Sequence, residues 1–392
     1  MRIRTLAEAK QPEMAAWRHQ IHQNPELGFQ EQKTTAFVKK VLKQADISMR
    51  PLGTPTGVLG ILRGEQGPGP VVVLRADLDA LPMQEENDVP YASHTANVMH
   101  ACGHDGHTAI LLGTAHILAS LKSQLRGEVR FLFQPAEETL HGARQMIEAG
   151  VLDDPPADYI AGLHGSPLAE IGQMAIRRGP VMASADMAVI TFSAAGGHGA
   201  YPHRTRDPIL AAGHFITAVQ SIVSRQVNAV DSVVVSICSL ESGSAFNIIP
   251  RQAVLKGTVR TLNESVRQGI PNMLEEKAAG IAQAFGCDWQ LEYTQGVPAV
   301  QNDASVVDQL VEAGQIVLGP ENVVFPPDPL MGSEDFAFYM EKVPKSAFFQ
   351  LGFVRPGQPA PNLHNSHFNF DDGALVPGAA VLSQFAADML TR

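Results

Sequence analysis

Cysteine is scarce in this chain: Cys102, Cys238 and Cys287 are the only three among 392 residues. A sparse, odd and widely spaced set excludes a disulfide framework. Basic charge is also short, with 29 Lys and Arg against 40 Asp and Glu and a net charge of −11. That balance argues against nucleic acid or an anionic membrane as a general partner, while leaving room for a local basic pocket. Long apolar runs are missing too. No stretch approaches the about 20 apolar residues that a membrane span needs, and the opening MRIRTLAEAKQPEMAAWRHQ lacks the apolar core of a signal peptide. The expected location is a reducing cytoplasm.

What is present is the length and composition of a two-domain globular protein, with 45% hydrophobic and 18% charged residues. Residues 6–45 read as two amphipathic helices divided by the turn at Asn24-Pro25. Val71–Leu74 is a short apolar run that ends abruptly in Arg75, Asp77 and Asp79. An apolar helix follows from about His107 to Leu121. Strands at Val129–Phe133 and Tyr159–Leu163 come next, ending in Pro-Ala-Glu137-Glu138 and in His164. Alternating strands and helices predict an α/β sheet with much parallel character. Ligands of such sheets gather beyond the carboxyl ends of the strands, where these polar residues stand.

From about residue 184 the pattern changes. Strands at 187–193, 232–240, 253–262 and 288–294 and helices at 208–225 and 266–285 spell βαββαβ, the ferredoxin-like split unit. Residues 297–392 resume helix and strand, so the second domain is an insertion. The expected boundaries are 1–183 with 297–392 for the first domain and 184–296 for the second. Segments 326–329 and 355–361 read as loops.

Cys102, His104, Glu137, Glu138, His164 and His364 combine thiolate, imidazole and carboxylate, a donor set suited to zinc or another divalent transition ion. Two cations about 3.5–4 Å apart need a shared anionic ligand, and a cysteine thiolate between imidazole sites fits that need. Of two adjacent glutamates, one can bind metal while the other takes a proton from water. Taken singly, each residue has a plainer reading. A free Cys is often core, a Glu pair is usually a solvated face, and His164 is compatible with a near-surface histidine. The joint placement at one sheet edge favours the metal site.

These residues sit in segments that resemble the M20 metallopeptidase family along essentially the full chain: RADLDALPM (75–83), HACGHDGH (100–107), PAEE (135–138), LHGSP (163–167), AAGGHGAYPH (194–203), FNIIP (246–250), GSEDF (332–336) and LHNS (363–366). Within the family the likeness is to the amidohydrolase branch of hippurate hydrolases, aminoacylases and auxin-conjugate hydrolases. The resemblance implies a mixed-sheet, zinc-peptidase-like catalytic domain with an inserted dimerisation or lid domain. It implies two divalent ions per chain (zinc, manganese, nickel or cobalt), bridged by Cys102. His104 and His164 would complete one site, Glu138 and His364 the other. Glu137 would serve as general base and then general acid. Asp79 would hold a ligand imidazole in the right tautomer, with Asp105 a second candidate for that work. Other branches carry His-x-Asp where this chain has Asp77-Leu78-Asp79, so His104 would replace the lost histidine. His198 would help stabilise the oxyanion, Asn247 would contact substrate, and Arg260 would pair with a substrate carboxylate, unless it is an ordinary strand arginine. His22, His94, His100, His107, His116 and His141 fit no ligand slot. His107 and His116 read as packed helix residues, and His364 is preferred over His367. Gly-Ser-Pro after His164 and Gln-Val-Asn after Arg225 depart from the family's pattern without touching a ligand.

The implied activity is hydrolysis of N-acyl amino acids to a carboxylic acid and a free amino acid, by a homodimer or homotetramer. A carboxypeptidase or dipeptidase of the same family would use identical chemistry on a different acyl half. A non-catalytic binding protein is disfavoured by the intact Glu137-Glu138 pair. A zinc deaminase would need a C-x-x-C, which the chain lacks.

Overall fold

The computed structural model describes residues 2–359 and 362–391, so positions 360 and 361 of the expected loop at 355–361 lie outside the described residues. The chain divides into two compact units. One comprises Met1–Val181, Gln301–Asp328 and Asp335–Arg392, the other Met182–Val300 and Pro329–Glu334.

In the first unit, the run Val71-Val72-Val73-Leu74 continues as a strand to Asp77 and is buried throughout. A strand apolar on both faces belongs in the middle of a covered sheet, and this one pairs in parallel with Glu128–Gln134 on one side and Tyr159–Glu170 on the other. Among the described residues the sheet has eight strands, ordered Ser48–Arg50, Val58–Arg63, Glu128–Gln134, Val71–Asp77, Tyr159–Glu170, Ser346–Val354, Met174–Ala175 and Val323–Val324. Ser346–Val354 also runs parallel to its neighbour Tyr159–Glu170, while Val58–Arg63 joins antiparallel and carries the antiparallel edge strand Ser48–Arg50. The helix His104–Ser120 is apolar almost all round and buried along nearly its whole length. Such a helix is a core helix, and it packs between Arg2–His22 and Leu375–Thr391.

By length and composition alone the segment Asp372–Thr391 is apolar enough to cross a membrane, but 78% of its most apolar 18-residue window is buried. Its apolarity serves the core. One expectation is corrected here. The strand from Tyr159 does not end before His164; it runs on to Glu170, which places His164 within the strand.

The second unit is a four-stranded antiparallel sheet, ordered Val233–Ser242, Gln252–Thr261, Ala185–Ser193 and Asp288–Val297. Helices Pro208–Ser221 and Glu264–Phe285 pack on it through Phe192, Phe215, Leu255, Ile270 and Leu274. The chain order is the expected βαββαβ. Local chemistry sets the helix ends. The Asp207 carboxylate accepts the N–H groups of Ile209 and Leu210, Pro208 opens the first turn, and Asn263 caps the second helix through Ser265 N–H. The first helix stops at Ser221 and widens into a π turn over Ile222–Gln226, short of the expected regular helix to Arg225.

Candidate metal centre

In the first unit the parallel strands Val71–Asp77 and Glu128–Gln134 release Asp79 and Glu137-Glu138 from neighbouring carboxyl ends. The adjacent strand Tyr159–Glu170 carries His164. His104 is the first residue of the buried helix, and Cys102 precedes it across Gly103. Gly103 has φ +93°, a left-handed conformation costly for other residues, and a Cβ there would meet Phe370 at 3.0 Å. His364 arrives from the segment after Ser346–Val354, itself with φ +59° and its N–H donating to the Ala101 carbonyl at 2.8 Å. A non-glycine residue in this region is a strained position of the kind that clusters at functional sites.

The ligand atoms of Cys102, His104 and His164 lie within 4.8 Å of one another, and so do those of Cys102, Glu138 and His364. Cys102 is common to both sets. Its Sγ is 3.3 Å from His164 Nε2, and His364 Nε2 is 3.2 Å from Glu138 Oε1.

Asp79 organises the surroundings. Its Oδ1 accepts the Glu137 N–H and its Oδ2 the Glu138 N–H, each at 3.0 Å. His104 Nδ1 lies 2.9 Å from the Asp79 carbonyl and 3.2 Å from Oδ1. Both are acceptors, so Nδ1 carries a proton and Nε2 is the nitrogen turned to the centre. His164 is oriented the same way, with Nδ1 donating to the Gly165 carbonyl at 2.8 Å.

These residues fit a divalent ion. His104 Nε2 is buried with no hydrogen-bond partner. The acids it faces, Asp77 at 3.8 Å, Glu138 at 3.9 Å and Glu137 at 4.0 Å, are too far for a hydrogen bond. A buried ring nitrogen turned toward carboxylates is a place for a cation, either a proton on the nitrogen or a metal ion that displaces it. The electrostatics agree. Burial would push His104 down, but the Asp77 charge and the Asp79 hydrogen bond carry it well above the usual imidazole range. Burial raises the Cys102 thiol above its ordinary value. Burial pushes His164 down to about 3, with the neighbouring His107 and His104 rings acting in the same direction, so its imidazole is neutral. Burial opposes ionisation of Glu138, yet His364 and His104 hold its carboxyl below the usual range. The cluster calls for positive charge, and metal binding would release protons from it.

Other sequence candidates fall elsewhere. Asp105 holds no ligand imidazole; its Oδ2 pairs with His22 Nδ1 at 2.8 Å and with Arg18 at 3.4 Å, because the helix start aims it toward Arg2–His22. His22 Nε2 in turn meets Glu85 at 3.1 Å. Burial would lower this imidazole, but Asp105 and Glu85 raise it to about 9. His367 pairs with Glu86 at 3.4 Å. In the second unit, His198 sits exposed on Gly197–His198, which pairs with Ile248–Ile249. The Asn247 carbonyl accepts the Gly199 N–H at 2.8 Å, so His198 and exposed Asn247 share one strip of surface. Arg260 is half-buried and donates to Ser333 Oγ at 3.1 Å.

Sequence reasoning passed over the pair Asp77–His107. His107 Nε2 accepts the Gly165 N–H at 2.8 Å, so Nδ1 carries the proton given to Asp77 Oδ1 at 2.7 Å. Asp77 is also paired with the buried Arg75 at 2.7 Å. An acid two residues before Asp79, and a histidine three after His104, were the available signals.

The sequence matches Peptidase family M20/M25/M40 over residues 73–388. An N-acetylcysteine deacetylase of Bacillus subtilis (strain 168) is 40% identical over 375 residues, covering 95% of this chain and 94% of its own. Thermostable carboxypeptidase 2 of Saccharolobus solfataricus is 39% identical over 368 residues, 92% of this chain and 91% of its own. The crystal structure of a Bacillus subtilis protein described as a dinuclear metal binding peptidase from the M20 family matches with a TM-score of 0.87 at 35% identity, covering 98% of this chain and 99% of that one. With a family match across most of its length and relatives alike from end to end, the chain belongs to peptidase family M20/M25/M40 and is a metal-dependent amide-bond hydrolase.

Proposed function

We propose that the chain cleaves N-acyl amino acids, hippurate-like or N-acetyl, to a carboxylic acid and a free amino acid. The observation that carries this reading is the membership of Cys102 in two ligand sets at once. In the proposal Cys102 would be shared by two ions, with His104 and His164 as the further holders of one and Glu138 and His364 of the other. Divalent ions held there would supply Lewis-acid polarisation of the amide carbonyl and acidify water at neutral pH. Glu137 takes the proton of the attacking water and returns it to the departing nitrogen. Asp79 keeps the His104 tautomer and the backbone of both glutamates in place. His198 steadies the oxyanion, Asn247 contacts the substrate and Arg260 receives its carboxylate, exchanging the Ser333 hydroxyl for it.

The same proposal makes residues 1–183 with 297–392 the catalytic domain and 184–296 a dimerisation or lid domain, in a cytoplasmic homodimer or homotetramer. The full-length likeness to a deacetylase of an N-acyl amino acid supports the substrate class. Likeness to a carboxypeptidase favours a second reading, peptide cleavage by the same centre. Metal-free protein reloaded with zinc, manganese, nickel or cobalt, then offered N-acetylcysteine, benzoylglycine and unblocked dipeptides, separates the two. Turnover of the acyl amino acids above the dipeptides is expected; cleavage of dipeptides alone overturns the substrate assignment.

A further inference from the structure

Glu31 occupies the N-cap position of helix Gln32–Gln44, where a carboxylate ordinarily caps its own helix. Here the side chain makes no such bond. It is fully buried, and its Oε1 accepts the Ala136 N–H at 2.8 Å, 105 residues away in sequence. Ala136 stands at φ +54°, a left-handed conformation that a residue with a Cβ adopts only under constraint. A second contact comes from the same segment: a Cβ on Gly28 would meet Ala136 Cα and Cβ at 3.1 Å and Thr139 Cγ2 at 3.2 Å. Residues 28–31 therefore press on Ala136 with both a packing surface and a buried acceptor. Downstream, Asp79 accepts the N–H groups of Glu137 and Glu138. Three successive backbone N–H groups are thus held by two buried carboxylates from distant parts of the chain.

We infer that Glu31 is a positioning residue for Glu137: by fixing Ala136 in its left-handed conformation it sets the direction in which the Glu137 carboxylate leaves the turn. The inference rests on the reading of Glu137 as the general base. Glu138 stands one residue farther from Ala136 and is held by Asp79 at its N–H and by His364 at its carboxylate. Loosening Ala136, the residue bonded to Glu137, therefore reaches the base before the ligands. A misplacement of about 1 Å at a reacting group can lower a rate roughly 10²-fold.

The test compares Glu31→Ala, Glu31→Gln, Gly28→Ala and Glu137→Gln as metal-loaded full-length proteins, using benzoylglycine and N-acetylcysteine. Metal content, kcat, KM and hydrogen exchange of the Ala136 amide are the readouts. Glu31→Ala is expected to keep its full complement of ions and its KM, to lose roughly 10–100-fold in kcat, and to exchange the Ala136 amide faster. Glu31→Gln, whose amide oxygen accepts the same N–H, recovers most of the loss. Gly28→Ala displaces the same turn without touching the carboxylate, so it carries the test if Glu31→Ala does not fold. Wild-type kcat in a folded Glu31→Ala, or joint loss of ions and activity, overturns the inference. An active Glu137→Gln, or no turnover of either substrate by the wild type, overturns the reading of Glu137 beneath it, and the exchange of Ala136 still reports whether Glu31 holds the turn.

Discussion

Asp79→Asn removes one acceptor from the centre while keeping its shape. In the wild type, the two carboxylate oxygens accept the Glu137 and Glu138 N–H groups, and Oδ1 also shares the His104 Nδ1 proton. Asparagine offers one accepting oxygen and an NH2 group that donates. Whichever way it turns, one of the two glutamate N–H groups faces a donor in a site where the residue is 1% exposed. An unpaired buried N–H costs about 1–3 kcal/mol, and the lost charge-assisted bond about 1.5–3 kcal/mol. Since these overlap, a fall of about 3 kcal/mol in folding stability is expected. If the amide settles with its NH2 toward Glu137, His104 is left with the Asp79 carbonyl alone to fix its tautomer. Loss of such an outer partner weakens metal binding by about 10–100-fold. Urea unfolding of the metal-free protein reads the first effect, and competition against a chromophoric chelator reads the second. Asp79→Asn with wild-type stability and wild-type metal affinity would refute the claim that this carboxylate pins both glutamates and His104.

Further outcomes follow from the same geometry. Glu137→Gln should lower kcat by roughly 10²–10⁴-fold while the protein, measured by elemental analysis, still carries its ions. His22, raised to about 9 from 6.5, contributes about 3 kcal/mol at 1.36 kcal/mol per pKa unit. That contribution is complete below pH 6.5 and is lost as pH rises through about 9, so the urea midpoint of the wild type should fall more steeply between pH 7 and about 10 than that of His22→Gln. Parallel curves would contradict the buried imidazolium. In the acid direction, burial opposes ionisation of Glu85, but His22 and the Ser93 N–H hold its carboxyl below the usual range. Its share of stability is therefore present above the ordinary carboxylate pKa and disappears as pH falls further.

Local signals in the sequence carried much of the architecture. The apolar run Val71–Leu74 reads as a buried strand, and four strands with two helices between 187 and 294 spell the βαββαβ order that the structure has. What lay beyond reach were pairings set by tertiary approach. Asp105 looks like a companion to His104 because it follows it, yet its partner is His22, 83 residues away. His107 reads as helix packing because its neighbours are apolar; only the register of Tyr159–Glu170 against Val71–Asp77 brings Gly165 within reach of its Nε2. Glu31 resembles a helix cap, and nothing local says that its carboxylate turns instead to Ala136. The strand from Tyr159 reads as ending at His164 because that residue breaks its apolar run, whereas the parallel ladder with Ser346–Val354 carries it on.

In the proposed centre one thiolate, Cys102, serves two ions. Cobalt titration of the metal-free protein tests it most directly, because thiolate bound to cobalt absorbs in the near ultraviolet and the endpoint counts ions. A thiolate band and an endpoint of two cobalt ions per chain are expected, as two ligand sets sharing Cys102 require, with the band absent and the ions lost in Cys102→Ser. Saturation at a single ion, or cobalt binding without a thiolate band, would contradict it.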